Sequence, residues 1–466
     1  MKKNVLLLFL MLFFSGNAKC GNGNNVSIVE YPQKNTLQDK LFGLSKIWSE
    51  IKYNFVNVDH VKFDIDSMYY ATIPKVVATT NDPDYYDELQ KFLASFNDGH
   101  TQLIETDYAW NDINDYIPCG LVDIDNKIYF SDVKKNSGID STLVGAEIIE
   151  IEGLPTRKYI DKNVYPAISA STDEHRWFQA VSKIQGGRKG TSLVGKAKKI
   201  DGTIVPFSIL RNGETTRTPN DKYWLWTTKN KKRKAERVSL DWNSDIAILD
   251  IRAFYPDNIM HKIDSLTTLI NNRAKGLIID LRYNGGGSTL VAEHLQKYLT
   301  HENSFLTFGS QKRINDSYGR SQGNYREEYK DFFLGKAYKT NASDTVTFGK
   351  DISPFKCPVI ILIGRYTFSA AEDFLINIYE MPNRPFIMGE PTGGSTGAPL
   401  MVSLPHGAMA RICSIRMLYP YSKKAFVGKG IQPDILVKQS IADYLDGNDV
   451  VMENALSRLK DTTSEK

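Results

Sequence analysis

Cysteine is scarce in this chain: four in 466 residues, at Cys20, Cys119, Cys357 and Cys413, none in a C-x-x-C or Cys/His spacing. That excludes a zinc module and a disulfide-stapled scaffold, and it favours unpaired thiols. Excess charge is scarce too. Fifty-eight Lys and Arg against 54 Asp and Glu leave a net charge of +4, with no basic stripe for a nucleic acid. Neither G-x-G-x-x-G nor G-x-x-x-x-G-K-[ST] occurs, so no dinucleotide or nucleotide phosphate site is expected, and no cofactor or metal is called for. There are no internal repeats. The one long apolar run, Val5 to Phe14, is too short to span a bilayer comfortably.

That run follows Lys2 and Lys3 and precedes small residues, the pattern of a secretory signal peptide over residues 1–18, cut after Ala18. The mature chain is therefore expected to be exported, periplasmic or at the cell surface. Cys20 offers a lipidation site for peripheral membrane anchoring, although Lys19 before it fits that pattern poorly. Residues 19–36, rich in Asn and Gly, read as a flexible tether.

Three helical periods follow. Leu37, Leu41, Leu44, Trp48 and Ile51 share one face, a second helix covers about 66–78, and a third covers 84–96 with Asp82-Pro83 ahead of it. Together they predict a small N-terminal helical domain over 37–105. The period then shortens. β-type runs at 128–131, 147–152 and 204–210, turns at Asp201-Gly202 and Asn212-Gly213, and a helix near 174–184 predict a β-rich module over 106–215. The polar and basic stretch 216–236 reads as a linker. Over 237–466, strands alternate with helices, which predicts an α/β core with a polar, aromatic-rich insertion at 310–350, either a lid or an irregular surface loop.

Within that core, Val359 to Ile363 reads as a buried strand, Gly364 to Thr367 as a turn, and Ser369-Ala370-Ala371-Glu372 as the start of a helix. Ser is a preferred helix N-cap, which is the bland reading of Ser369. The chemical reading is a nucleophile beside free N–H groups that favour developing negative charge. Ser369 lacks the flanking glycines of a G-x-S-x-G elbow. Other strand ends carry Asn284-Gly285-Gly286-Gly287 and Gly389-Glu390-Pro391-Thr392-Gly393-Gly394-Ser395, where backbone N–H groups lie open to a ligand. A serine needs a base. Of seven histidines, His100 stands out by context, in Asp98-Gly99-His100-Thr101 at a helix-to-strand transition.

Taken in order, these segments resemble the tail-specific, or C-terminal processing, serine peptidases and their tricorn-like relatives. GLIIDLRYNGGG (276–287), TFSAAE (367–372), GEPTGG (389–394) and GIQPDI (430–435) are similar to that family's core motifs, and LASFNDGHTQ (93–102) resembles the helical segment of the tricorn-like branch. GAEIIEIEG (145–153) is similar to the carboxylate-binding loop and strand of a PDZ domain. The resemblance implies a crotonase-like α/β core, a PDZ-like module, and cleavage of peptide bonds in peptides or unfolded protein tails. It implies Ser369 as nucleophile, His100 as base, and the Gly286 and Ala370 N–H groups as oxyanion donors.

The sequence also departs from the family. Ser395 stands where the processing branch has its lysine base, and Lys429 belongs to the later GIQPDI segment. The tricorn-like branch has a serine before its histidine and an acidic residue ahead of the late motif, where this chain has Gly99 and, approximately, Val427. The group orienting His100 is thus left open: Glu372 and Asp98 are at hand, and Ser395 and Glu372 are supporting candidates of the site in a general sense. The rival expectation is a protein on the same fold that binds peptides, lipids or glycans with little or no turnover.

Overall fold

The computed structural model describes residues 31–464 except 136, 213–235, 257 and 350–351. The expected signal peptide, the Cys20 site, most of the tether and nearly all of the linker lie outside the described residues. No described helix is long and apolar enough to cross a membrane.

Helices Leu37–Asn54, Ile65–Val77 and Asp82–Ala94 open the chain. Each has a side-chain cap: Thr36 accepts from the Asp39 N–H, Asp64 from Ser67, and Asn81 from Asp84. The third cap corrects an expectation. Asp82 and Pro83 lie inside the first turn, because the fixed φ of proline suits that position and Asn81 is free to cap. The inward faces, Leu44, Ile47, Ile51, Tyr85, Leu89, Phe92 and Leu93, do not close a core of their own. They share one cluster with Val402, Ala410, Ile412 and Cys413 from the other end of the chain. There the hairpin of Pro399–Ser403 and Met409–Cys413 takes Gln102–Glu105 as a third, antiparallel strand.

A second, antiparallel sheet runs Cys119–Ile124, Lys127–Val133, Glu147–Ile151, Ser192–Lys198, Ile204–Leu210. Asp125 and Asn126, both at positive φ, make its first tight turn. The helix Asp173–Gln185 lies over this sheet and buries Trp177, Val181 and Ile184 with Phe130, Ile148 and Phe207.

The third sheet orders Val238–Asn243, Ile246–Ile251, Gly276–Asp280, Val359–Ile363, Phe386–Gly389 and Ile435–Leu436, antiparallel in the first pair and parallel thereafter. Every residue of Gly276–Asp280 is buried, as a parallel strand covered on both faces requires. Helices Ile259–Arg273, Thr289–Gln296 and Ala370–Tyr379 cover one face, and Val450–Ser464 covers the other. The protein is thus mixed α/β, and its parallel strands end on a common edge at Asn284, Gly364 and Gly389.

Part of the 310–350 insertion is neither irregular nor detached. Gly309–Arg313 pairs with Tyr338–Asn341 on one side and Arg416–Leu418 on the other. Arg313 donates to the carbonyls of Lys52 and Phe55, and the Tyr338 hydroxyl donates to that of Val56. These bonds tie it to the end of the first helix.

Candidate active site

Ser369 stands at the N-cap position of the Ala370–Tyr379 helix, yet its side chain makes no capping bond. Its backbone lies at φ 56° and ψ −127°, a region non-glycine residues seldom occupy. That conformation is held from both sides. The Ser369 N–H donates to the Ser395 carbonyl at 3.2 Å, and its own carbonyl accepts from Glu372 and Asp373 at 2.7 and 3.0 Å. Gly286 packs so closely that a Cβ there would lie 2.7 Å from the Ser369 Cβ and 2.8 Å from the Ala370 nitrogen. The hydroxyl that would otherwise cap the helix faces His100 instead, with Nε2 3.2 Å from Oγ.

His100 reaches this point because its turn is tied to the C-terminal hairpin. The Asp98 carboxylate accepts from the His100 N–H (2.9 Å), the Thr101 hydroxyl (3.0 Å) and the Asn57 amide (3.1 Å). The Thr101 oxygen in turn accepts the Cys413 N–H at 3.0 Å. Asp98 therefore shapes the turn and makes no bond to the imidazole ring. The ring is buried. Burial, with the Arg411 guanidinium and His175 as smaller contributors, depresses its pKa to about 3. It is neutral at physiological pH, the form a base needs.

The ring's other nitrogen meets a hydroxyl. His100 Nδ1 lies 2.7 Å from the Ser395 hydroxyl, which is fully buried. With Nδ1–H donating to Ser395, the Nε2 lone pair faces Ser369. Glu372 acts one step further out. Its buried carboxylate accepts from the Thr392 hydroxyl (2.5 Å), the Gly394 N–H (2.7 Å) and the Ser395 N–H (2.9 Å). Burial pushes that carboxyl up to about 8 despite the three donors. It does not touch His100; it fixes the turn that carries Ser395.

The two expected oxyanion donors differ in availability. The Ala370 N–H has no acceptor among the described residues, whereas the Gly286 N–H already donates to the Asn284 side-chain oxygen at 2.9 Å. Lys429 lines a surface cleft with Asn97, Thr172 and Arg176, and its segment bonds the active-site turn from the Gly428 N–H to the Gly394 carbonyl and from the Ile431 N–H to the Thr392 hydroxyl. Val427 is buried and supplies no charge. Among the described residues no group of His, Cys, Asp and Glu side chains is arranged to hold a metal ion. The residue the sequence does not single out is Phe368, whose ring stacks on His100; a Phe before a serine carries no pattern to find it by.

Comparison with known proteins bears on the α/β core and the fold. Residues 245–437 match the family model described as peptidase family S41. Among solved structures, mature CPAF complexed with lactacystin superposes with a TM-score of 0.69 at 14% identity, covering 92% of this chain and 99% of that one. A candidate peptidase from Parabacteroides merdae superposes with a TM-score of 0.51 at 19% identity, covering 91% and 97%. At these identities the likeness is one of fold. No curated protein matches the chain. The family match carries the assignment for the α/β core: residues 245–437 are those of a family S41 peptidase.

Proposed function

We propose that the protein is an exported serine endopeptidase in which Ser369 is the nucleophile, His100 the base and Ser395 the residue that fixes the base's tautomer. The observation that carries this reading is the 3.2 Å approach of His100 Nε2 to Ser369 Oγ at a serine freed from capping. Ser369 Oγ attacks a peptide carbonyl carbon while its proton passes to Nε2. The resulting oxyanion is held by the Ala370 N–H with the Gly286 turn beside it. His100 then gives the proton to the leaving amine, and water hydrolyses the acyl-enzyme. Export rests on the residues ahead of Ala18.

The α/β sheet is read as a crotonase-like core and the second sheet as a PDZ-like module that takes an extended peptide or its C-terminus by strand addition. A fold-sharing binding protein without turnover would have no reason to hold a neutral imidazole against a strained serine. A fluorophosphonate probe tests the assignment. Wild-type protein should label covalently, and Ser369→Ala and His100→Ala should not. Persistent labelling of Ser369→Ala would remove Ser369 from its role.

A further inference from the structure

His100 is fixed within its ring plane by two hydrogen bonds, one at each nitrogen. Bonds in that plane do little to resist tilting out of it, and a tilt would swing the Nε2 lone pair off the Ser369 hydroxyl. We propose that Phe368 and His175 are positioning residues for His100, the three rings forming one stack that sets the imidazole plane. The proposal rests on the reading of His100 as the base.

The Phe368 ring lies parallel to His100, with centroids 4.8 Å apart and planes at 9°. Its opposite face is covered by His175, at 5.0 Å and 12°. His175 is held at both of its own nitrogens. Nδ1–H donates to the Arg365 carbonyl at 3.0 Å, and Nε2 accepts from the Gln179 amide at 2.6 Å. Burial lowers its pKa, partly opposed by the hydrogen bond to the Arg365 carbonyl. Arg365 is itself anchored, by Asp123 of the second sheet and by Glu390 at 2.9 Å. Asp123 also accepts the Trp177 indole N–H at 2.8 Å. The outer ring is therefore fixed by the second sheet and its helix, and the inner ring is the catalytic base.

Two glycines leave the space this stack occupies. A Cβ at Gly99 would lie 3.0 Å from the Phe368 ring and 3.2 Å from the Ser395 Cβ. One at Gly393 would lie 2.7 Å from that ring and 3.2 Å from His175 Nδ1. The ring thus accounts for the lack of a side chain at position 99. Phe368 also directly precedes the nucleophile, with its N–H held by the Asn284 carbonyl at 3.1 Å. One stretch of backbone therefore sets both the attacking oxygen and the plane of its base.

The test uses the full chain and a fluorophosphonate probe, with the labelling rate constant measured as a function of pH and thermal stability measured alongside. Misplacement of a reacting group by an ångström costs up to about 100-fold, so Phe368→Leu is expected to slow labelling about tenfold or more. Phe368→Tyr, which keeps the planar ring, should recover labelling to within about threefold of wild type. His175→Ala should slow labelling and His175→Phe restore it. The acid limb of the labelling profile should rise toward the ordinary histidine range in Phe368→Leu, because a tilted ring gains water. A purely structural role would lower stability and labelling together without moving that limb, and this result would overturn the proposal. So would labelling of both Phe368→Leu and His175→Ala within about twofold of wild type. If Phe368→Leu does not fold, the His175→Ala and His175→Phe pair decides by the same rates. His100→Ala separates the two claims: undiminished labelling there overturns the base assignment itself, whereas loss there with wild-type-like stack variants overturns only the stack.

Discussion

Replacing Ser395 by alanine removes one hydroxyl and little else. The backbone bonds of that residue, its N–H donating to Glu372 and its carbonyl accepting from the Ser369 N–H, do not depend on the side chain, so the turn should survive. What changes is the partner of His100 Nδ1, 2.7 Å away in a site closed to water. In wild type the Nδ1–H is satisfied, and the Nε2 lone pair is the form presented to Ser369. In Ser395→Ala the buried Nδ1–H has no partner, and a buried orphan donor costs about 1–3 kcal/mol. The tautomer protonated at Nε2, which cannot accept the serine proton, becomes competitive by that amount. At 1.36 kcal/mol per factor of ten, the rate constant should fall by about 5- to 150-fold. Peptide binding should change little, because the hydroxyl faces the base. The assay is the second-order labelling constant with a fluorophosphonate, read against peptide turnover so that kcat and KM separate. A rate within about twofold of wild type would refute the tautomer argument. A loss as complete as that of Ser369→Ala would show that Ser395 takes part in bond making and does more than orient the ring.

Ser369→Gly relieves a backbone conformation that costs a non-glycine residue about 1–3 kcal/mol, so the inactive variant should unfold at higher denaturant than wild type; an unchanged midpoint would mean the serine is unstrained. Glu372→Ala orphans two buried N–H groups and a hydroxyl at about 1–3 kcal/mol each, and should lose both stability and labelling, measured by urea unfolding and probe capture. His100 has a folded pKa below its unfolded value of about 6.5, so its contribution to stability is present above pH 6.5 and is lost as pH falls through about 3; His175 is depressed in the same direction. Thermal midpoints should therefore drop on acidification from pH 7 to 4, after correction with His100→Gln. Over the same range the labelling rate per folded molecule should hold, because the base stays neutral. An acid limb near pH 6.5 in wild type would contradict the burial argument.

The proposed nucleophile is legible in the chain because three local signals coincide there: a β-branched run, a glycine turn and a helical period starting at Ala370. The capping alternative could be rejected only with coordinates, since the backbone angles of Ser369 depend on the Gly286 loop packed against it. His100 stands out by its context at a helix-to-strand transition, but its reading as a base comes from family resemblance, because a histidine in a turn carries no local mark of its partners. The group on Nδ1 was harder still, since His100 and Ser395 are 295 positions apart. Ser395 also stands where the processing branch carries lysine, so resemblance argued for a lost base there and gave no hint of an orienting hydroxyl. Leu37 shows the same limit at smaller scale. It has the right helical phase for burial yet is 52% exposed, because phase says which face turns inward and not how far the partner surface extends.

The N-terminal helices make the general point. Their periodicity suggests a self-contained domain, and periodicity cannot report which surface closes an amphipathic face. Here that surface is the hairpin Pro399–Ser403 and Met409–Cys413, and the strand Gln102–Glu105 that completes it begins two residues after His100. The Cys413 N–H bonds the Thr101 hydroxyl across 312 residues of chain. His100, the proposed base, is therefore placed by the same long-range pairing that buries the helices. A substitution that loosens this pairing, such as one at Ala410 or Ile412, should reduce labelling before it abolishes the α/β core, whose own hydrophobic cluster contains neither residue.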